Sequence, residues 1–132
     1  MNNLIASLIE LLDSSTVMTG ADISEKYHAD WSGADPCQPL ALLKPKTTQQ
    51  LSEIMALCHK YDQPVVIQGG LTGLAGGATP QSGEIAISLE RMNGIEELDA
   101  TAMTVTALAG TPLQVLQDMA DDNDLFLPLD LG

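Results

Sequence analysis

Residues 63–89 read QPVVIQGGLTGLAGGATPQSGEIAISL, with five glycines in the nine positions from Gly69 to Gly77. On either side stand two short apolar runs, VVI at Val65 to Ile67 and EIAISL at Glu84 to Leu89. Short apolar runs bounded by Gly and Pro read as strands. Upstream, PLALLKP at Pro39 to Pro45 reads as another buried strand, ended by its proline. Between it and VVI, Thr47 and Gln50 have the spacing of a capping box for a helix with Leu51, Ile54, Met55 and Cys58 on one face. The turn YDQP stops that helix. Strand, helix, strand at this spacing predicts a parallel pair with a crossover helix.

The remaining elements extend the pattern in both directions. At the N-terminus, Asn2 or Asn3 can cap a helix carrying Leu4, Ile5, Leu8, Ile9, Leu11 and Leu12. The stretch from Asp13 to about Pro39 is polar and has no clear period. Beyond the central strands, GIEELD and AMTVTALAG read as two strands about a turn at Asp99 to Thr101, with Met103, Val105 and Ala107 alternating against Thr104 and Thr106. Thr111 then caps a last helix, with Pro112 at its first position and Gln114 completing a capping box. That helix carries Leu113, Leu116 and Met119.

Composition narrows the function classes. At 132 residues and 45% hydrophobic content the chain has the length of one domain and enough apolar residues for a core. Five Lys and Arg against eighteen Asp and Glu give a formal charge of −13. Phosphate-rich partners need clustered cations, so nucleic acid and anionic membranes are excluded as expected partners. No run approaches the roughly 18 apolar residues of a transmembrane helix. The N-terminus lacks a basic signal-peptide start, and Cys37 and Cys58 have no metal-like or redox-motif spacing. A reduced cytoplasmic setting with no metal site is the expectation. His59 reads as a surface residue of its helix, and Trp31 as a packing anchor of its loop.

The glycine loop matches neither standard phosphate cradle. No lysine follows Lys60, which excludes a P-loop, and the glycine spacing is not G-x-G-x-x-G opening a helix. Backbone N–H groups remain as a means of holding an anion. Successive N–H groups in a turn converge on a concavity, glycine permits positive φ, and missing side chains allow close approach. No cation lies between Asp62 and Glu90, so neutral donors, with the Thr72 hydroxyl, are the expected anchor for a diphosphate. The bland alternative is a tight turn that binds nothing.

Taken together, PVVIQGGLTGLAGGATP, GEIAISLERMNGIEELD, MTVTALAGTPLQVLQDMADDNDLFLPLDLG and the upstream YHADWSG resemble the N-terminal FAD-binding region of flavin-linked D-2-hydroxy-acid dehydrogenases. This is the family of D-lactate dehydrogenase, the glycolate oxidase flavin subunit and D-2-hydroxyglutarate dehydrogenase, within the vanillyl-alcohol oxidase and p-cresol methylhydroxylase (VAO/PCMH) superfamily. The resemblance covers roughly Tyr27 to Gly132. It implies an α+β fold: a small parallel sheet flanked by helices, then the start of an antiparallel subdomain whose remaining strands are absent. The implied division is a helix and linker over 1–24, a first subdomain over 25–98 with the diphosphate loop at 68–80, and a second subdomain over 99–132.

By the same resemblance, Gly69, Gly70, Leu71, Thr72, Gly73, Leu74, Gly77 and Ala78 contact the FAD diphosphate, mostly through backbone N–H groups, and Pro128 is a further contact. Leu71 departs from the Gly or Asn usual in the family, and a left-handed conformation there costs about 1 kcal/mol. Arg91 reads as a surface arginine pairing with acids, with a ligand contact as the alternative. The loop holds no histidine, which implies non-covalent FAD. The implied activity is oxidation of a D-2-hydroxy acid to the 2-oxo acid, with no catalytic residue assigned here and the chain expected to be inactive alone, as a truncated piece. Another VAO-type flavoprotein oxidase, or a cofactor-free interaction module, is the alternative. A homodimer covering the exposed sheet edge and the apolar C-terminal segment is a further expectation.

Overall fold

The computed structural model describes residues 2–130. The chain divides into two compact units, Met1–Arg91 and Met92–Gly132. The first unit contains α1 (Asn2–Leu11), β1 (Val17–Met18), β2 (Leu42–Leu43), α2 (Thr48–Lys60), β3 (Val65–Gln68) and β4 (Ile85–Ser88). The second contains β5 (Ile95–Asp99), β6 (Thr104–Ala107) and α3 (Leu113–Asp121).

The four strands of the first unit form one sheet in the order β1-β2-β4-β3. β4 pairs in parallel with β2 on one side and with β3 on the other, while β1 is antiparallel to β2. The β2-α2-β3 crossover is present, but β4 is inserted between the two strands it joins. β1 lies within the stretch read as irregular, and it makes the sheet mixed rather than purely parallel. Two residues of VM carry too little periodicity to mark a strand; its register, Val17 opposite Leu43, comes from pairing with β2.

Strand alternation sorts the core into two faces. Leu43, Ile85 and Ile87 share one cluster with Leu4, Leu8 and Leu12 and with Ile54 and Cys58 of α2. Leu42, Val66 and Ala86 share the other with Ile23 and Tyr27, from a segment of two short 3-10 turns. Helices thus cover one face, and the 20–27 segment covers the other. Ile9, Leu11 and Met55, expected on buried helix faces, are exposed, because the apolar stripes narrow to the i, i+4 rows facing the sheet. Residues 1–24 are accordingly part of the first unit and not a linker.

Local caps follow the sequence in α2 and depart from it in α3. Thr47 Oγ1 accepts from the Gln50 N–H at 3.1 Å, and Gln50 Oε1 accepts from the Lys46 N–H at 2.8 Å, one residue earlier than a capping box requires. The cap offered by Asn2 lies outside the described side chains, and Asn3 is inside α1. In α3 the N-cap position is Pro112, without a side-chain bond. The Thr111 hydroxyl instead bonds both N–H and C=O of Gly94, each at 3.0 Å, and Gln114 bonds Asp118.

β5 and β6 form an antiparallel hairpin with an irregularity between Ile95 and Glu97. Asp99 Oδ1 accepts from the N–H groups of Thr101 and Ala102, which turns the chain. Met103, expected on the inward face, lies before β6 with φ 55° and is exposed. The break between units falls after Arg91 and not at 98/99, because a cut there would separate two strands that pair with each other.

Candidate functional site

Gln68 is the last residue of β3, and residues 69–84 carry the chain to its parallel neighbour β4. A parallel connection needs about a dozen residues and is usually a helix. Here the glycine segment itself is that connection, leaving the carboxyl end of β3, where open parallel sheets present ligand crevices.

The loop is braced from beneath by the segment around Asp30. The Gln68 amide, fully buried, donates to Tyr27 C=O at 2.9 Å and to Ala78 C=O at 3.0 Å. Asp30 Oδ2 accepts from the Ala78 N–H at 3.3 Å, and Oδ1 accepts from the Thr79 hydroxyl at 3.1 Å and the Ser32 N–H at 3.0 Å. Thr79 Oγ1 in turn accepts from the Asp30 N–H at 3.0 Å. Hydrogen bonding from Ser32, with help from Ala78 and Thr79, lowers the Asp30 pKa to about 2. A depressed carboxyl favours the fold above its ordinary range near 4, and this contribution is lost as pH falls through about 2. The brace is therefore anionic throughout neutral and mildly acidic conditions.

The same segment is tied down at Tyr27. Its hydroxyl donates to the Glu90 carboxylate at 2.9 and 3.0 Å, and Lys26 and Lys44 each place an ammonium 4.6 Å from the ring centroid. Lys44 also pairs with Glu90 at 2.7 Å, and Lys26 at 3.5 Å. Burial alone would raise the Glu90 carboxyl, but hydrogen bonds from Lys44 and Tyr27 and the two positive charges bring it below its ordinary value.

Above this brace the loop N–H groups are free, while Gly76 C=O accepts from the Thr79 N–H at 3.2 Å. Among the described residues, no N–H from Gly69 to Gly77 donates to a protein acceptor. A Cβ built at Gly69, Gly70 or Gly77 would meet nothing within 4 Å, and at Gly73 only Asp30 Oδ2 at 3.8 Å. Only Gly76 among these five has a positive φ, at 79°. The fold itself therefore does not need glycine at the other four positions. What their missing side chains leave is open space in a segment whose N–H groups make no hydrogen bond to protein. Unused N–H groups beside open space are the neutral donors that anion binding by backbone requires.

The sequence-predicted residues divide as follows. Gly69 to Leu74, Gly77 and Ala78 lie together on the loop, with Thr72 and Leu74 exposed. Leu71 takes the left-handed conformation, with φ 62°, as Gly76 does further along the loop; the Leu71 side chain packs on the Tyr27 and Val66 cluster. Ala78 is not a free donor, since Asp30 takes its N–H. Pro128 is exposed in the second unit; the last two residues of LPLDLG lie outside the described residues. Arg91 donates to Ser15 C=O at 3.2 Å. Trp31 is 71% exposed and anchors no packing. Among the described residues no cluster has the makings of a metal site.

Asp30, Gln68 and Thr79 were missed as site residues. A signal existed for Gln68: the period of two places it in phase with buried Val66, a polar side chain on the inward face at the root of a loop. Asp30 and Thr79 are 49 residues apart in sequence, and only the fold joins them.

Residues 39–132 match the family described as FAD binding domain. A protein of Schizosaccharomyces pombe, provisionally named a mitochondrial D-lactate dehydrogenase, is 39% identical over 96% of this chain and 23% of its own length. A D-2-hydroxyglutarate dehydrogenase of Danio rerio, named as mitochondrial, is 35% identical over 92% of the chain and 23% of its own length. The D-2-hydroxyglutarate dehydrogenase of Xanthomonas citri is 32% identical, over 97% and 27%. The chain thus spans about a quarter of the length of these relatives. Among solved structures, an alkyldihydroxyacetonephosphate synthase superposes with a TM-score of 0.87 at 17% identity, and a p-cresol methylhydroxylase with 0.83 at 20%. Each covers 99% of this chain, which covers 26% of each; at these identities they establish the shared VAO/PCMH-type fold. With the matched segment containing the whole glycine loop and strands β2, β3 and β4 of the sheet that carries it, the chain belongs to the FAD binding domain family.

Proposed function

We propose that this chain holds the diphosphate of non-covalently bound FAD in an oxidoreductase that converts a D-2-hydroxy acid to the 2-oxo acid. The observation that carries the reading is the run of N–H groups from Gly69 to Gly77, without protein acceptors, under open Cβ positions. The donors are Gly69, Gly70, Leu71, Thr72, Gly73, Leu74 and Gly77; Ala78 closes the loop. The substrate class rests on the relatives named for D-lactate and D-2-hydroxyglutarate. Bound FAD supplies an acceptor for the hydride of the substrate carbinol. The role of this chain is to bind and orient; no residue in it is assigned to move the substrate proton. Two thiols, with Cys58 buried and its pKa raised by that burial, fit a reducing compartment such as the cytoplasm.

Titration of the chain with FAD, followed by flavin fluorescence, is expected to show saturable binding, with no bleaching of the flavin by D-lactate or D-2-hydroxyglutarate. In a flavoprotein of the relatives' length carrying this segment, the D-acid is expected to bleach the flavin and the L-acid not. Failure to bind FAD sinks the cradle, and reduction by the L-acid sinks the substrate class.

We further infer self-association through the second unit. Its hairpin strands pair only with each other among the described residues, and Phe126 and Met103 are 81% and 76% exposed. Sedimentation across a concentration series is expected to show a dimer; a monomer at every concentration rules it out.

A further inference from the structure

A loop with many unused N–H groups has a standing alternative, which is to fold back on its own carbonyls. Something must hold it open. The structure shows the Ala78 backbone gripped from two directions: Asp30 Oδ2 accepts from its N–H, and Gln68 Nε2 donates to its C=O. Gln68 precedes the first glycine and Ala78 follows the last, so the second contact joins the two ends of the glycine run. Thr79 and Asp30 exchange a reciprocal pair of bonds, hydroxyl to carboxylate and N–H to hydroxyl. The same Oδ2 lies 3.8 Å from where a Gly73 Cβ would stand, so the carboxylate underlies the middle of the loop as well as its end.

We propose that Asp30 is a positioning residue for the cofactor loop: it does not touch the ligand, but with Thr79 and Gln68 it fixes the open shape that aligns the Gly69–Gly77 donors. This rests on the diphosphate reading above. The chemistry calls for a carboxylate. Asp30 accepts three bonds on its two oxygens, and an asparagine amide would turn an NH2 group toward either the Ala78 N–H or the Thr79 and Ser32 donors. The segment also lies outside the matched family region, which begins at residue 39.

The test uses the full 132-residue chain, FAD and amide hydrogen exchange. Asp30→Asn is expected to weaken FAD about tenfold, the usual effect of losing one charge-assisted hydrogen bond, and to speed exchange at the Ala78 amide while the β3 and β4 amides stay protected. Thr79→Val should behave alike, Thr79→Ser should restore affinity, and the double variant Asp30→Asn with Thr79→Val should be no worse than either alone. Wild-type affinity and unchanged Ala78 exchange in Asp30→Asn would overturn the proposal. If Asp30→Asn does not fold, the contrast between Thr79→Val and Thr79→Ser decides it. If the wild-type chain binds no FAD, the cradle reading falls, and Ala78 exchange still decides whether Asp30 shapes the loop.

Discussion

A chain carrying Gly70→Val is expected to lose saturable FAD binding and to keep its melting temperature. At Gly70 a Cβ meets nothing within 4 Å and φ is outside the left-handed region, so the protein accommodates the side chain. The cofactor does not, because the valine occupies the space over the neighbouring N–H groups. Hydrogen bonds to a charged partner are worth about 1.5–3 kcal/mol each. Losing two of them weakens binding by roughly a hundredfold or more. Gly76→Val provides the contrast. Gly76 has φ 79° with Ser32 Oγ 3.5 Å from the built Cβ, so the substitution strains the backbone whether or not a ligand is present. Flavin titration paired with thermal melts separates the two, and wild-type affinity in Gly70→Val would show that the diphosphate is not held there.

Ile87→Ala is expected to cost about 2–5 kcal/mol, the range for removing a large buried aliphatic side chain. Ile87 is fully buried on β4, which is paired along both edges and covered on both faces. Collapse around the cavity is limited because its backbone is fixed between β2 and β3. A domain has about 5–15 kcal/mol in total, so the loss is a large fraction of the whole. Denaturant unfolding measures it; a change below about 1 kcal/mol would mean that the site repacks. The exposed Ile67 on edge strand β3 supplies a control expected to be nearly neutral.

The strands that frame the loop were legible because VVI and EIAISL are dense apolar runs between Gly and Pro. That β4 lies between β2 and β3 was not, since strand order is a long-range choice that no local period encodes. Helix α2 was legible from Thr47 and Gln50. The equivalent reading at Thr111 failed because its hydroxyl found a tertiary partner in Gly94. The candidate cradle was legible from its glycines, but the reason given for them was only partly right. Most keep space open, and the positive φ that glycine was expected to supply falls to Gly76 and to Leu71. Left-handed Leu71 costs about 1 kcal/mol, and its packing beside Tyr27 and Val66 offsets that cost. The Asp30 brace was beyond reach from sequence because its partners meet only in the folded chain.

Making the glycine segment serve as the connection between β3 and β4 has a consequence for how the protein can vary. Ordinary surface loops lengthen at little cost, since each doubling of a flexible loop adds only about 0.6 kcal/mol of closure entropy. This one is pinned at Gln68, Ala78 and Thr79. A residue added or removed between those pins would shift the brace, the donor row and the alignment of β4 with β3 together. Insertions that drift freely through other loops should therefore be purged here, and variation should accumulate as substitutions at the exposed positions Thr72 and Leu74.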